Sequence, residues 1–584
     1  MIYDNVDPSL LDFLNNPMLV LEHPLKKPQR VTWQSRLLYR VPALRQLISA
    51  GQVQGLIGEK LEAGLVKSRK ELPHFLFEDG MPLNEKNMHR FTDTLREYFN
   101  IDIALNRSDV ETDERKALIY SFIRNYTWAR LEYTCNRVAE SLQLRAVHNL
   151  SILGHSRLWT SYYLSEQYFL IAQGLMTARL KGKALFIMPT KKLQDRIKGH
   201  WLAEMMEADS KLRDSRVLLE YALILQKKGQ LPLEMRELLI AFTMDKCLSI
   251  HVDYLSEDLA NHPVFKRLKE VVYFAVHLEL RAIVGKRSTP ETELQNCVSA
   301  ETVHWINSAL SGLTPTLDSA SSFVEYKGGH YIRDALSFKY GLKKFVGFLI
   351  ANPTKPHKGK DFGQVLGMGF EVDYIKNYIR DINDPRFEVH GEFKPGNNAQ
   401  MKDYDIDLVL HDREDDIYYF IQVKYLMSDF PIYLSEQCRL FTRAQFKKGF
   451  LQQLGVLKNN LDDDSIRRKL ASKGLSGATA HNSHFVLLHN LPFLNFYELD
   501  GVFFYEWNLL RNILRRGRTQ YWKDDTIIEA QVLDKPRLHR PKEIIDAYFN
   551  SAQGGTQYAE HYDIYSRAVA RFKYDGLNVI CKLV

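Results

Sequence analysis

The spacing of apolar residues changes near residue 363, and this change constrains the fold more than any other feature of the chain. Before it, segments such as 43–66, 117–144 and 267–284 repeat apolar residues every three or four positions, which predicts amphipathic helices. After it, short runs rich in β-branched and aromatic residues are separated by turn-forming and acidic segments, which predicts strands. We therefore expect an α plus α/β protein, in which a large helical N-terminal region precedes a mixed sheet.

Breaks in this pattern give the expected domain boundaries. The helical region spans 1–310, as one or two subdomains, and would serve recognition, regulation or oligomerisation. A connecting segment spans 311–361, where proline, glycine and low-charge stretches interrupt the helical spacing. The mixed-sheet domain spans 362–510, and a C-terminal extension over 511–584 is expected to pack on it.

Composition excludes several classes of protein. Hydrophobic residues make up 45% and charged residues 26% of the chain, which is typical of globular proteins and argues against disorder. A net charge of +7 permits a nucleic-acid partner without requiring one. The cysteines have no C-x-x-C spacing, the opening residues lack a secretory signal pattern, and no apolar run approaches the ~20 residues of a membrane span. We expect a soluble, cytoplasmic protein with no membrane partner.

Two neighbouring strand candidates carry the residues that are best suited to catalysis or metal binding. In 405–412, period-two alternation predicts that Asp405 and Asp407 share one face of the strand. The apolar residues predicted on the other face are Tyr404, Ile406, Leu408 and Leu410. In 417–426, Gln422 and Lys424 share a face, whereas Ile421 and Val423 point the other way. If the acidic turn between the strands closes a hairpin, the acidic pair lies beside the Gln–Lys pair.

This combination of groups suits the hydrolysis of a phosphodiester. The reaction needs a hard cation, which oxygen ligands hold, and a positioned water molecule. Asp407 would be the anchoring metal ligand, Gln422 a neutral oxygen ligand, and the backbone carbonyl of Val423 a third. Lys424 would position the water and stabilise charge that develops on the phosphate. Asp405 remains an alternative to Asp407 as the main ligand.

The ordered motifs resemble those of the PD-(D/E)XK, or restriction-endonuclease-like, nuclease superfamily, in its Mrr-type Gln-x-Lys variant. Ile406-Asp407 stands in place of Pro-Asp, and Gln422-Val423-Lys424 stands in place of (Asp/Glu)-x-Lys. Upstream, the helix predicted over 366–379 contains Gly-Met-Gly-Phe-Glu. Glu371 matches the family's helix glutamate, which commonly helps to hold a metal ion through water. The resemblance covers about 362–490, a quarter of the chain.

The resemblance implies a nuclease domain that cleaves DNA rather than RNA, with Mg²⁺ as cofactor and Mn²⁺ as a possible substitute. It also implies a role in prokaryotic restriction or anti-phage defence, a homo-oligomer, and a defence-system partner protein. The helix predicted over 440–461 would contact phosphates, or would simply present a solvated face. Its polar residues for such contacts are Arg443, Lys447, Lys448, Gln452 and Gln453.

Two other functions stay open from the sequence. The first is a catalytically weak or inactive nuclease fold that serves as a nucleic-acid-binding scaffold. The second is an RNase or nuclease subunit that needs a partner. Both are kept open by departures from the family pattern, since no proline precedes Asp407 and Gln422 replaces an acid. This replacement lowers the charge of the ligand set, which would weaken metal binding or favour manganese.

Overall fold

The computed structural model describes most of residues 218–311, 365–396, 403–426 and 448–551, together with shorter pieces of the chain. The shorter pieces are 50–71, 164–202 in part, 324–332, 569–582 and a few single positions. The helix predicted over 117–144 lies outside the described residues. In the part that is described, helices and sheets occur together in an α+β architecture, as expected.

The helices of the described residues cluster before residue 311 and around the largest sheet. They are α1 (Ala50–Glu71), α2 (Leu233–Leu248), α3 (Glu257–Ala260), α4 (Pro263–Ile283), α5 (Glu291–Gln295), α6 (Ala300–Ser311), α7 (Ile375–Ile382), α8 (Gly455–Asn459), α9 (Asp464–Ser472), α10 (Trp507–Leu514) and α11 (Pro541–Asn550). Two π-helical turns, Gly369–Tyr374 and Lys448–Leu454, lead directly into α7 and α8. Helices α1 and α4 confirm two of the predicted helices. None of the described helices combines the length and apolar character that a membrane crossing requires.

The strands form four sheets within the described residues. They are β1 (Met176–Lys181), β2 (Ala184–Pro189), β3 (Ser288–Pro290), β4 (Glu325–Lys327), β5 (His330–Ile332), β6 (Phe387–His390), β7 (Leu408–Asp412), β8 (Ile417–Lys424), β9 (Ser483–His489), β10 (Tyr497–Leu499), β11 (Val502–Glu506), β12 (Arg518–Lys523), β13 (Thr526–Gln531), β14 (Val569–Tyr574) and β15 (Leu577–Lys582). Strands predicted over 386–394, 405–412, 417–426, 484–490 and 501–507 are confirmed as β6, β7, β8, β9 and β11.

A four-stranded sheet corrects the expected organisation at both ends of the chain. Its order is β1-β2-β15-β14, so a hairpin from the N-terminal region pairs with a hairpin from the C-terminus. The region expected to be mostly helical thus contains a hairpin, and the last strands of 511–584 pair with that hairpin rather than with the strands of the large sheet. Two isolated hairpins are marginally stable, and the parallel pairing of β2 with β15 joins them into one sheet.

The segment expected to connect the two regions also contains ordered structure. Strands β4 and β5 lie within 311–361, and they join β3 in a three-stranded antiparallel sheet. Tyr331 of β5 is fully buried in the same apolar core as Phe274 of α4. This part of the segment therefore belongs structurally with the helical region rather than with a linker.

The largest sheet has six strands in the order β10-β11-β9-β8-β7-β6. Strands β6, β7 and β8 form an antiparallel meander, and β9 then lies parallel to β8. A parallel neighbour needs a crossover connection, and the described part of that connection contains the turn at Lys448–Leu454 with α8 and α9. The β7–β8 pairing confirms the predicted hairpin.

Helices cover both faces of this sheet. On one face, Leu408, Ile421 and Val486 share a buried cluster with residues of α7, α10 and α11. On the other face, Val409 and Phe420 share a cluster with residues of α8 and α9. Since α11 belongs to 511–584, that part of the C-terminal extension packs on the sheet. The sheet is thus a rigid central layer, and its loops and strand ends are the places where polar groups can converge.

The predicted alternation along 404–410 is wrong at one point. Tyr404 and Ile406 pack in the cluster on the α8–α9 face, whereas Leu408 and Leu410 pack in the cluster on the α7 face. The chain bends at Asp407, immediately before β7. The Asp407 amide donates to the Ile421 carbonyl, at 3.1 Å, so the bend is fixed by contacts that local periodicity does not contain.

A buried ion pair holds the outer end of the meander. Arg386 donates to both carboxylate oxygens of Asp412, at 2.9 and 2.5 Å, and also to the Pro536 carbonyl at 2.9 Å. The side chains of Arg386 and Asp412 are only 1% and 0% exposed. The pair therefore ties the β6–β7 edge to the C-terminal extension.

We expect Asp412→Ala to lower the free energy of unfolding by roughly 3–5 kcal/mol, because it leaves the Arg386 guanidinium buried without its counter-charge. Urea denaturation measures this loss. Arg540→Ala is the matched control, since its ion pair with Glu543 is about half exposed and should contribute at most ~1 kcal/mol. Equal losses for the two variants would contradict the prediction.

Candidate active site

Asp407 is the best-anchored residue of the predicted site. One of its carboxylate oxygens, Oδ2, accepts a hydrogen bond from the Val423 amide at 2.7 Å and one from the Gln422 side-chain amide at 2.5 Å. The bend before β7 aims this carboxylate at the end of β8. The sequence-predicted juxtaposition of Asp407 with the Gln–Lys pair is therefore present in the structure.

Gln422 and Lys424 lie at the end of β8, on the face opposite Ile421 and Val423, as their spacing predicts. Gln422 is 2% exposed, whereas Lys424 is half-buried. A side chain at Gly449 would displace the end of the Lys424 side chain and crowd Leu487. A β-carbon there would lie 2.7 Å from Cε of Lys424 and 3.1 Å from the buried Leu487 side chain. Glycine at this position lets the π-helical turn close over the strand end.

Asp405 lies at the rim of the same site. Its side chain is 42% exposed, and one oxygen lies 3.4 Å from Nζ of Lys394. The other oxygen accepts a hydrogen bond from Gln453 at 3.2 Å. Asp405 is therefore held by the rim residues, whereas Asp407 is held by the Gln422–Val423 strand end. These contacts favour Asp407 as the anchoring ligand of the two.

Glu371 lies on the π-helical turn before α7 and is partly buried. The turn is anchored by Phe370, which is fully buried in the core beneath the sheet. On its other side, the carboxylate of Asp373 accepts hydrogen bonds from the amide and hydroxyl of Ser256, at 3.1 and 2.5 Å. The helical region therefore contacts the same turn that carries the predicted site glutamate.

Charges in the site strongly affect one another. Burial, and then the negative charge of Asp407, raises the pKa of Glu371 to about 7. Burial raises the pKa of Asp407 to about 6, although the Val423 amide and Lys424 favour its ionised form. Burial also lowers the pKa of Lys424, against the attraction of Asp407 and Glu371. These opposed shifts place acids and a base that titrate nearer neutrality in one cluster, which is typical of functional sites.

The oxygen atoms of the site are of the chemical type that binds a divalent cation. Among the described residues, the side-chain oxygens of Gln422 and Gln453 are buried without a hydrogen-bond partner. Such oxygens are costly to bury and are suitable neutral ligands for a hard cation. The Val423 carbonyl already accepts a 3.4 Å contact from the Gln422 amide. A cation would add positive charge to a site in which the carboxylates of Glu371, Asp405 and Asp407 interact with only two lysines, Lys394 and Lys424, among the described residues.

The carboxylates do not form a closed cage. The oxygens of Glu371, Asp405 and Asp407 do not all lie within 4.8 Å of one another. Within the described residues, the group of three ligand atoms that does meet this spacing is Glu388, His390 and His411, on β6 and β7. The predicted metal site therefore rests on Asp407 with carbonyl oxygens, and Glu371 would join through water as the resemblance implies.

The expected phosphate contacts are only partly described. Arg443 and Lys447 lie outside the described residues. Lys448 is exposed at the start of the π-helical turn, and its charge lowers the pKa of Lys424. Gln453 is 4% exposed and donates to Asp405, and its contact with a phosphate stays a prediction.

Sequence reasoning missed two residues of the site, Gly449 and Lys394. The signal that could have identified Gly449 is a glycine inside a predicted helix, directly after two lysines. Nothing in the local sequence marked Lys394, because its contact with Asp405 crosses between strand ends.

No family model, no curated protein and no solved structure matches this chain. The arrangement around Asp407 is therefore the observation from which a function can be inferred.

Proposed function

We propose that this protein is a metal-dependent endonuclease of the PD-(D/E)XK type, and that Asp407, Gln422, Lys424 and Glu371 form its active site. The observation that carries the proposal is the buried cluster at the paired ends of β7 and β8. A carboxylate, a buried amide oxygen and a half-buried amine meet there, at a desolvation cost that a purely structural strand end has no need to bear.

The order of elements also supports the proposal. A helix that carries Glu371 comes first, an antiparallel meander with Asp407 and Lys424 follows, and helices then lead to a fourth strand parallel to the third. The motifs that resemble the nuclease superfamily occur along the chain in this order. The site lies where the bend before β7 and the end of β8 meet under a glycine-containing turn.

In the proposed mechanism, Asp407, the side-chain oxygen of Gln422 and the Val423 carbonyl would hold Mg²⁺ or Mn²⁺, with Glu371 contributing through water. The bound cation would screen the charge of the phosphate and make an attack by water easier. Burial lowers the pKa of Lys424, the charge of Asp407 favours its protonated form, and the amine would orient the water and stabilise negative charge on the phosphate. The Val423 amide fixes the Asp407 carboxylate in place.

The substrate is proposed to be DNA. Lys394 is 45% exposed at the rim, and Lys448 is exposed at the edge of the turn. These two lysines place positive charge on the rim of the site, which suits binding to a phosphate backbone. Arg443 and Lys447 stay predictions for the same role. Prokaryotic defence, a defence-system partner, self-association and a cytoplasmic location are proposals that rest on the resemblance alone.

One observation favours the scaffold alternative. Because Gln422 already donates to Asp407, the strand end is partly satisfied without a cation. A nucleic-acid-binding protein that has lost cleavage could keep this arrangement.

Cleavage of circular and linear double-stranded DNA by the full chain tests the proposal, with Mg²⁺, Mn²⁺ or EDTA present. We expect metal-dependent cutting that Asp407→Ala abolishes, because the anchoring ligand is lost. Asp462→Ala is the matched control, since this exposed aspartate lies in the turn between α8 and α9 and is not a residue of the proposed site.

Equal cutting by Asp407→Ala would contradict the proposed site. Cutting of RNA alone would favour the RNase alternative. If neither DNA nor RNA is cut and calorimetry detects no binding of Mg²⁺ or Mn²⁺, the scaffold replaces the enzyme.

A further inference from the structure

A second group of metal-ligating side chains lies at the edge of the six-stranded sheet. Glu388 of β6 is directly opposite His411 of β7 in the antiparallel register. His390 follows Glu388 by two residues and therefore shares its face of the sheet. One ligand atom from each of the three residues lies within 4.8 Å of the others.

The spacing within this group suits a small tetrahedral ion. Nε2 of His390 lies 3.7 Å from Oε1 of Glu388, and Nδ1 of His411 lies 3.8 Å from Oε2 of the same carboxylate. Both distances are too long for good hydrogen bonds. Ligand atoms bound to zinc at about 2.0–2.2 Å stand about 3.3–3.6 Å apart in a tetrahedron. Small side-chain movements would therefore bring the three atoms to bonding distance of one ion.

His411 is oriented as a metal-binding histidine usually is. Its Nε2 lies 3.0 Å from a carboxylate oxygen of Asp416, which assigns the ring proton to that nitrogen. The Nδ1 lone pair then faces Glu388. The ring also stacks on Tyr418, with centroids 4.1 Å apart. A carboxylate behind a ligating histidine fixes the tautomer and strengthens the ligand.

Arg413 is the competing partner in this group. It donates to Oε2 of Glu388 at 2.7 and 3.0 Å. The side chain of Arg413 is 54% exposed, so this ion pair is a weak one. Oε1 of Glu388 faces His390 and stays available while Arg413 holds Oε2.

We propose that Glu388, His390 and His411 bind a zinc-class divalent cation, with Asp416 as the positioning carboxylate for His411. Two imidazoles and one carboxylate suit Zn²⁺ or Co²⁺, whereas Mg²⁺ prefers a set of oxygen ligands. The fourth position would be taken by water. Because β6 is the outermost strand of the sheet in the described part of the chain, the ion would cross-link β6 to β7 at this edge.

Calorimetric titration of the metal-free full chain with Zn²⁺ tests this site, with excess Mg²⁺ present to saturate sites made of oxygen ligands. We expect one Zn²⁺ site to be lost in His390→Ala and in His411→Ala, and Asp416→Asn to weaken it about 10–100-fold. His304→Ala is the matched control, because His304 is an exposed histidine on α6 and should leave the titration unchanged. Co²⁺ should give the visible absorption of tetrahedral coordination in the unaltered chain and not in the histidine variants.

Unchanged Zn²⁺ stoichiometry and affinity in the double variant His390→Ala/His411→Ala would overturn the proposal. So would a Co²⁺ spectrum without tetrahedral character in the unaltered chain. Circular dichroism checks that the variants fold. If a histidine variant does not fold, Asp416→Asn decides the matter, since Asp416 is 69% exposed and its replacement leaves all three ligands in place.

Discussion

Replacing Lys424 with methionine is expected to reduce DNA cleavage by about 10²–10³-fold, because the reaction loses its positioned donor beside the phosphate. Methionine keeps the length and apolar contacts of the side chain, including those with the close-packed turn at Gly449. The affinity for Mg²⁺ should not fall, since removing a positive charge beside Asp407 and Glu371 makes the site more attractive to a cation. Steady-state cleavage and calorimetry measure the two effects separately.

Lys394→Met is the matched control for this variant. It removes the same charge from the same group of acids, but from a position at the rim that is 45% exposed. We expect a much smaller loss of cleavage, expressed mainly as weaker DNA binding that high salt also produces. If both variants lose cleavage equally, Lys424 acts through charge alone. If Lys424→Met retains full activity, its proposed catalytic role is wrong.

The strand pattern of the site domain could be predicted from the sequence because it is local. Period-two alternation placed Gln422 and Lys424 on one face of β8, and the acidic turn indicated the hairpin that brings Asp407 beside them. Each of these inferences needs only neighbouring residues and the geometry of a strand. The structure agrees with the predicted strand positions to within a few residues.

Features that depend on distant contacts could not be predicted in this way. The bend at Asp407 is fixed by the amide of Val423 and the carbonyl of Ile421, on the next strand. The pairing of β2 with β15 joins segments almost 400 residues apart, and neither hairpin carries a local signal for its partner. Local periodicity predicts a strand but not its neighbour across such a separation.

The structure also gives the helical region a physical connection to the site. Asp245 of α2 accepts hydrogen bonds from Tyr374 at 3.2 Å and from Arg511 at 3.1 Å. Tyr374 ends the π-helical turn that begins with Gly369 and carries Glu371. A β-carbon at Gly369 would lie 2.9 Å from Leu259 of α3, so glycine allows this close approach. A change in how the helical region packs would therefore move the turn that holds Glu371.

Glu371→Gln is expected to stabilise the metal-free protein at pH 8 by about 1–3 kcal/mol, while it weakens metal binding and cleavage. The folded-state pKa of Glu371 is raised from 4.5 to about 7, so the folded protein binds this proton more tightly than the unfolded chain does. The contribution of Glu371 to the free energy of unfolding is therefore most favourable at low pH, and it is lost as the pH rises from about 4.5 through 7. Above that range the buried negative charge opposes folding, and glutamine removes it.

Thermal unfolding in EDTA at pH 4.5 and pH 8 measures this difference. The variant should be more stable than the unaltered chain only at the higher pH. Added Mg²⁺ should make the unaltered chain the more stable of the two, because the cation would neutralise Glu371 and Asp407 in its site. Glu498→Gln, at an exposed position on β10, is the matched control and should show neither effect. A Glu371 variant that is less stable than the unaltered chain at pH 8 in EDTA would mean that this carboxylate stabilises the metal-free fold. The raised pKa would then be wrong, and with it the view that the site bears an electrostatic cost that a bound cation relieves.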